Sequence, residues 1–236
     1  NHIVANPKPL IRARLRLWLL LAPLALFAMA GCTTGGSSPS SGWSGAVVAD
    51  DVVYIGSQEA KLLALDKETG ALRWSFPAEA DKGESLAGIY GSPVVTQSLI
   101  YVGGYNGTLY ALNPITQTKE WDFPTDGHIV GSPVVAGDTV MVGSSDGNLY
   151  ALDAAQGFEK WRFQTGNKVW STPVVYEDAV YFGSLDQSIY AVTLKDRGGL
   201  TAGQQMWSFP TNGAVASMPL IIDGRVYIGS FDRRFY

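Results

Sequence analysis

The sequence predicts an all-β protein, a β-propeller built from four-stranded antiparallel blades, and three observations point to it. Sequence landmarks recur about every forty residues from Trp43 onward. The 236 residues include 27 Gly and 7 Trp and only 16% are charged, a composition that favours short strands and tight turns over long helices. Each repeat divides into four short strands, which is the content of a propeller blade of about forty residues.

Four landmarks recur together. A short segment with a central proline begins at Gly91, Gly131, Ser171 and Ser217. A glycine closes an apolar run at Gly56, Gly103, Gly143, Gly183 and Gly229, so the spacings are 47, 40, 40 and 46. An alanine lies within the next apolar run at Ala64, Ala111, Ala151 and Ala191. A tryptophan marks the last strand of each unit at Trp74, Trp121, Trp161 and Trp207.

The third unit shows how the strands are assigned, at 133–135, 139–143, 148–153 and 159–164. Asp146-Gly147 joins the middle pair, as Asn106-Gly107 does one unit earlier, and both residues of such pairs tolerate the positive φ of a tight hairpin. The run Leu149–Leu152 is apolar on both faces, which predicts a blade packed between two neighbours. We therefore expect the alanines to permit close blade contact and the tryptophans to dock blade against blade.

Four units are complete, and a fifth begins at Ala216 and stops at Tyr236 inside its third strand. Closed propellers have about four to eight blades, so we expect about two to four further blades beyond this sequence. We expect the propeller to be monomeric. The numbering begins with Asn rather than Met, so we expect further residues before it as well.

The N-terminal segment, 1–42, predicts export and membrane attachment. A basic segment, Lys8–Arg16, precedes the apolar run Leu17–Ala30, whose length suits a secretory signal better than a spanning helix. The sequence Met29-Ala30-Gly31-Cys32 resembles the lipobox of bacterial lipoproteins, which implies cleavage before Cys32 and a lipid on its sulfur. The alternatives are an uncleaved anchor or an ordinary secretory signal. We thus predict a signal peptide at 1–31, a Gly/Ser/Thr-rich tether at 32–42 and the propeller at 43–236.

Charge argues against a nucleic-acid partner. The net charge is −4, but the segment 1–31 holds four of the 17 basic residues and no acid, so the remainder carries 13 basic and 21 acidic residues, or −8. Binding to phosphate backbones needs a basic surface.

The segment Ala64–Trp74 resembles the tryptophan-docking motif of the pyrroloquinoline-quinone (PQQ) repeat, A-x-D-x-x-T-G-x-x-x-W. The segment Ala151–Trp161 keeps the Ala, Asp, Gly and Trp, whereas Ala111–Trp121 has Asn113 for the Asp and Gln117 for the Gly. The WD40 repeat has the same period, but a Trp-Asp pair occurs in only one unit. The resemblance implies a quinoprotein-like propeller of seven or eight blades.

Two function classes compete within that family. Quinoprotein dehydrogenases bind PQQ with calcium, adjacent cysteines and a stacking Trp, whereas BamB-type lipoproteins bind protein partners through loops and have no cofactor. Cys32 is the only cysteine, and no Asp/Glu/Asn cluster stands out as a calcium site. We therefore predict a cofactor-free scaffold for other proteins of the bacterial envelope. The alternatives are a PQQ-dependent dehydrogenase or its cofactor-free relic, and the ligand-binding or sensor domain of a surface protein.

One propeller face is the predicted partner site, because the fourth-to-first and second-to-third connections share it and loops on a rigid scaffold often carry binding. The loop after the first unit is longer than its repeat equivalents, although a tolerated insertion without a role explains it equally well. The candidate partner-facing residues are Lys82, Glu84, Tyr105, Asn106, His128, Asp146, Lys168, Trp170 and Asp186.

No catalytic or metal-binding residue is predicted. Gly143–Gly147 fits the G-x-S-x-G nucleophile elbow, but that motif needs a strand-to-helix turn and this segment joins two strands. The glycosylation sequon Asn106–Thr108 is explained by turn chemistry. Asp66 and Asp153 share one repeat position and are expected to cap turns.

Overall fold

A computed structural model describes residues 44–78 and 85–236, and these residues form successive antiparallel sheets whose strands pair in chain order. Blade 1 contains β1 (Val47–Ala49), β2 (Val52–Gly56), β3 (Leu62–Asp66) and β4 (Leu72–Phe76). Blade 2 contains β5 (Val94–Val95), β6 (Ile100–Gly103), β7 (Thr108–Leu112) and β8 (Lys119–Pro124). Blade 3 contains β9 (Val134–Ala136), β10 (Thr139–Gly143), β11 (Asn148–Asp153) and β12 (Glu159–Gln164). Blade 4 contains β13 (Val174–Tyr176), β14 (Ala179–Ser184), β15 (Ser188–Thr193) and β16 (Gln205–Pro210).

A fifth unit follows with β17 (Leu220–Ile222), β18 (Arg225–Tyr227) and an isolated bridge between Gly229 and Phe235. The first strands of neighbouring blades approach one another, β1 with β5 and β9 with β13, so the first strand of each blade is innermost. The predicted propeller of four-stranded blades is therefore confirmed.

The predicted strands of the third unit agree with the structure except at the first. That strand begins at Val134 and not at Pro133, because proline has no N–H to donate to the sheet. The signal peptide, the tether and Cys32 lie outside the described residues, as do Lys82 and Glu84. Among the residues described, no helix combines the length and apolar character needed to cross a membrane.

The core lies between blades, because the central strands of blades 2 and 3 are buried on both of their faces. Ile100 and Val102 of blade 2 pack with Tyr54 of blade 1, whereas Tyr101 on the opposite face packs with Val140 of blade 3. Side chains alternate across a strand, so one strand supplies two interfaces. This explains why the apolar runs do not alternate with polar residues. The recurring alanines are fully buried, as their exposed fraction is 0% at Ala64, Ala111, Ala151 and Ala191.

The glycine that closes the second strand permits close contact with the next connection. A Cβ atom built on Gly143 would lie 2.5 Å from Val169 Cγ1 and 2.7 Å from the Val169 carbonyl oxygen. Gly103 has the same relation to Ile129, and Gly183 to Val215. Glycine therefore recurs at this position because a larger side chain would overlap the connection to the next blade.

The recurring tryptophans lie directly opposite the recurring alanines, and the residue before each tryptophan is left unpaired as a β-bulge in the tryptophan strand. Trp121 of blade 2 packs on Gly157 of blade 3, and its Nε1 donates a hydrogen bond of 3.1 Å to Ala154 O. A Cβ built on Gly157 would lie 2.5 Å from Trp121 Cδ2. Trp161 packs on Gly203 of blade 4 in the same way, since a Cβ built on Gly203 would lie 3.0 Å from Trp161 Cδ2. The tryptophan of one blade therefore docks on the third-to-fourth hairpin of the next.

Hydroxyl groups connect the inner ends of the blades. Ser92 N donates to Ser132 Oγ over 2.8 Å, and Ser132 N donates to Thr172 Oγ1 over 2.9 Å. The residues are 40 positions apart in each pair, so one bond recurs at two successive blade junctions. The amide of one blade is satisfied by the side chain of the following blade.

The second-to-third turns differ from the expected tight hairpin. Only the glycines of Asn106-Gly107 and Asp146-Gly147 have positive φ, at 89° and 94°. The Asn106 and Asp146 side chains instead accept hydrogen bonds from the amides two residues ahead, Thr108 N and Asn148 N. This Asx turn stabilises a longer loop in which the glycine alone takes the left-handed conformation.

Candidate functional site: the loop face

From blade 2 onward, the second-to-third turn of a blade lies against the connection that leads into that blade. Ser145 N donates to His128 O over 2.8 Å, and Leu185 N donates to Lys168 O over 2.9 Å. Phe231 N donates to Ala214 O over 2.9 Å in the fifth unit. In each pair the acceptor lies in the connection that leads into the donor's blade. Val169 N, in the connection that leads out of blade 3, also donates to Ser144 O in the second-to-third turn of blade 3. The two kinds of connection therefore share one surface, which we call the loop face, and it is the surface on which the sequence predicts a partner site.

Two of the predicted partner-facing acids hold the blades together. Asp146 accepts hydrogen bonds from Tyr150 Oη at 2.8 Å in its own blade and from Asp126 N at 3.1 Å in the preceding connection. Burial alone would raise the pKa of Asp146, but the hydrogen bonds from Tyr150 and Asn148 outweigh it and hold the pKa below its usual value. Asp186 repeats the arrangement with Tyr190 Oη and Gly166 N, both at 2.8 Å.

Asn106 occupies the same repeat position but has the opposite hydrogen-bonding role. Its Nδ2 donates to Ser85 O over 2.8 Å and to Tyr110 Oη over 2.6 Å. A carboxylate could not make either bond as a donor, because it only accepts. Asparagine is therefore required where the preceding connection presents a carbonyl instead of an amide N–H.

We expect Asn106→Asp to destabilise the propeller by about 1–2 kcal/mol, because a carboxylate would face the Ser85 carbonyl without a donor between them. The matched control is Asn167→Asp, at an exposed position whose side-chain Oδ1 accepts from Lys168 N, with an expected effect within about 0.5 kcal/mol. Urea denaturation of both variants measures the difference. Equal stability of the two variants would contradict the assigned role of Asn106.

Aromatic rings line the loop face across three blades. The Tyr105 and His128 rings are stacked, with centroids 4.0 Å apart and planes 7° apart. The Tyr90 ring lies 5.0 Å from the Tyr105 ring. Across the next turn, Trp170 Nε1 donates to Ser145 Oγ over 2.8 Å. We call Tyr90, Tyr105, His128 and Trp170 the aromatic strip.

The structure brings several of the predicted residues together. Tyr105 contacts His128, and Lys168 Nζ lies 5.5 Å from the Trp170 ring centroid. The His128 Nδ1 also forms a short hydrogen bond with Tyr105 O; since a carbonyl only accepts, Nδ1 carries the proton. Sequence analysis does not single out Tyr90, although it is the repeat equivalent of Trp170 two units earlier.

The G-x-S-x-G segment is a hairpin. Gly143 ends β10, Asn148 begins β11, and Ser145 Oγ is the acceptor for Trp170 Nε1. In residues 44–78 and 85–236, no three His, Cys, Asp or Glu side chains are grouped so that they could share a metal ion.

The consecutive four-stranded blades and the tryptophan docked on a hairpin glycine define a quinoprotein-like propeller of the PQQ-repeat class. A sequence profile described as outer membrane protein assembly factor BamB matches residues 26–127 and 80–236, and the chain belongs to this family. A comparison with curated protein sequences finds no match.

Solved structures share the fold. BamB from Moraxella catarrhalis is 23% identical, with a TM-score of 0.63 over 85% of this chain and 60% of that one. Quinohemoprotein alcohol dehydrogenase ADHIIG from Pseudomonas putida HK5 is 20% identical, with a TM-score of 0.66 over 84% of this chain and 40% of that one. The computationally designed protein Ika8 is 16% identical, with a TM-score of 0.66 over 80% of this chain and 56% of that one. This chain therefore spans 60% or less of the length of each of these proteins.

Proposed function

We propose that this protein is a scaffold of the bacterial cell envelope that binds other envelope proteins through its loop face. In this proposal a lipid on Cys32 tethers a monomeric propeller to the membrane, and the propeller binds neither a cofactor nor nucleic acid. Membership of a family described by outer-membrane protein assembly supports the class of function. The aromatic strip supports the location of the site.

The aromatic strip is the observation that carries the proposal. Tyr90, Tyr105 and Trp170 are half-buried, so each ring is fixed by its neighbours while part of it remains exposed. Rigid aromatic side chains are frequent binding hot spots, because they bury a large area on association and lose little conformational entropy. The rings lie on connections that the blades hold in place, which is a common arrangement for protein recognition.

Recovery of protein partners tests the site. We expect the double variant Tyr105→Ala/Trp170→Ala to bind at least about tenfold less partner, since it removes two central rings. The measurement is quantitative affinity purification of the natural-length protein from cross-linked envelopes. Phe158→Ala is the matched control, because Phe158 is 52% exposed and lies in a third-to-fourth hairpin on the other face. Undiminished recovery with the double variant would refute the site.

The insertion after the first unit provides a second variant. Residues 79–84 are to be replaced by a short Gly/Ser linker, and the replacement should stop before Ser85. Leu86 is fully buried and its carbonyl accepts a hydrogen bond of 3.0 Å from Asn106 N, so a longer deletion would damage blade 2 itself.

Membrane attachment is tested at Cys32. We expect Cys32→Ser to move the protein from the membrane fraction to the soluble fraction, because lipidation needs the thiol and stable anchoring needs the acyl chains. Metabolic labelling with an alkyne fatty acid should mark the parent protein and leave the variant unlabelled. A labelled or membrane-bound Cys32→Ser variant would show that another segment holds the protein.

A PQQ-dependent dehydrogenase is the second candidate, and likeness to quinohemoprotein alcohol dehydrogenase favours it at the level of the fold. Reconstitution of the natural-length protein with PQQ and calcium, followed by absorbance and dye-linked oxidation of alcohols, decides between the two. We expect no bound quinone spectrum.

A further inference from the structure

The position of Ser145 gives the loop face a feature that its sibling blades lack. The repeat equivalents are Tyr105, Leu185 and Phe231, so serine is the smallest side chain at this position. The Ser145 amide is bonded to His128 O on one side, and its hydroxyl oxygen is bonded to Trp170 Nε1 on the other. We call Ser145, with the flanking pairs Tyr105–His128 and Trp170–Lys168, the Ser145 notch.

We propose that the Ser145 notch receives an acidic side chain of a protein partner, with Lys168 as its counter-ion. This inference rests on the proposed function, because it names the chemistry of the partner that the loop face binds. In this arrangement the Lys168 ammonium and the Ser145 hydroxyl contact the partner's carboxylate. The aromatic rings on either side contact the methylene groups of the same side chain.

Two hydrogen-bond donors are available at the notch. Ser145 Oγ accepts from Trp170 Nε1, so its own hydroxyl hydrogen is left to donate. Lys168 is exposed, and its ammonium lies 5.5 Å from the Trp170 ring centroid without an ion pair to any acid in the described part of the chain. A carboxylate placed there accepts from both groups, and charge-assisted hydrogen bonds are the strongest of their kind.

The acids of the loop face do not satisfy Lys168. Asp146 and Asp186 use their oxygens on Tyr150, Tyr190 and the neighbouring amides. Asp126 is exposed on the same face, but in the described structure its carboxylate forms no ion pair with Lys168. The Lys168 ammonium is therefore available to pair with a carboxylate of a partner.

The overall charge restricts the kind of acidic partner. From residue 32 onward the chain carries 13 basic and 21 acidic residues, a net charge of −8, which repels polyanions such as nucleic acids and anionic bilayers at long range. A single Asp or Glu on a protein avoids most of this repulsion and gains the local contacts. The ring walls suit its methylene groups as well as adjacent apolar side chains.

Zero-length crosslinking tests the ion pair directly. A water-soluble carbodiimide joins an amine to a carboxylate only where the two are in contact. Applied to envelopes that contain the natural-length protein, it should link Lys168 to an Asp or Glu of a partner, as identified by mass spectrometry of the joined peptides. Lys168→Arg should retain partner binding and lose the crosslink, since the guanidinium keeps the charge and does not form the amide.

Charge reversal supplies the affinity measurement. Lys168→Glu should weaken partner binding by at least about tenfold, because two carboxylates would then be opposed. Lys195→Glu is the matched control, since Lys195 is an exposed lysine of the opposite face, paired with Asp178. Reversing the charge of the linked partner residue to lysine should restore binding to Lys168→Glu.

A second reagent separates the two proposals. A lysine–lysine crosslinker with a long spacer reports any partner near Lys168, whatever its charge. If it links Lys168 to a partner while the carbodiimide does not, and Lys168→Glu binds normally, the acidic-partner proposal is wrong and the loop-face function stands. If neither reagent links Lys168 and the Tyr105→Ala/Trp170→Ala variant retains its partners, both proposals are wrong.

Discussion

Replacement of Gly143 by alanine is expected to destabilise the propeller by about 3 kcal/mol, the upper part of the range for overpacked cores. The added Cβ would lie 2.5 Å from Val169 Cγ1 and 2.7 Å from the Val169 carbonyl oxygen. The side chain could rotate, but the carbonyl belongs to a connection held by Val169 N–H bonded to Ser144 O at 3.0 Å. Blade 3 and the connection to blade 4 must therefore separate. Urea unfolding followed by tryptophan fluorescence measures the loss.

The same repeat position provides the control. A Cβ on Gly229 would meet only Ser217 Oγ, at 3.8 Å, which is ordinary van der Waals contact. We expect Gly229→Ala to change the stability of this chain by no more than about 0.5 kcal/mol. If Gly143→Ala were as mild as Gly229→Ala, the glycine landmark would have a cause other than blade packing.

Gly157→Ala is expected to cost roughly 2–4 kcal/mol, from a strained backbone and a clash together. Gly157 has φ of 77°, and its Cβ would lie 2.5 Å from Trp121 Cδ2. Gly137→Ala separates the two causes, since Gly137 has φ of 59° and nothing within 4 Å of a built Cβ. The control should lose only the strain, about 1–2 kcal/mol.

A double-mutant cycle isolates the docking contact. Trp121→Ala removes the ring that Gly157 accommodates, so in that background Gly157→Ala should cost no more than Gly137→Ala. Additive effects of Trp121→Ala and Gly157→Ala would mean that the tryptophan does not dock on this glycine. The PQQ-repeat motif would then have another origin.

The fold could be predicted from the sequence because its determinants repeat. Blade packing imposes one requirement at each junction, so Gly143, Ala151 and Trp161 recur with their equivalents in the neighbouring units. A packing rule that recurs is visible without coordinates, even where single strands are too short to assign by periodicity.

The candidate site could be predicted only in part, because its contacts connect residues on different blades. The sequence predicts Tyr105 and His128 on one face, but their stacking depends on how two connections meet in space. The sequence predicts Asp146 as a partner-facing acid, whereas in the structure it accepts a hydrogen bond from Asp126 N. The sequence could not reveal this bond, because the two residues are 20 positions apart and belong to different repeats. The sequence also predicts a tight hairpin at Asn106-Gly107 with positive φ at both residues. In the structure the Asn106 side chain accepts a hydrogen bond from Thr108 N, and only Gly107 has positive φ.

The contacts between blades have a direction. Ser92 N depends on a hydroxyl of the following blade, and Trp121 docks on a hairpin of the following blade. Because a ribosome makes the chain from its N-terminus, each blade emerges before the groups that complete it. We therefore expect each blade to reach its full stability only after the next blade has been synthesised. The hairpin of that next blade then buries the tryptophan of the blade before it.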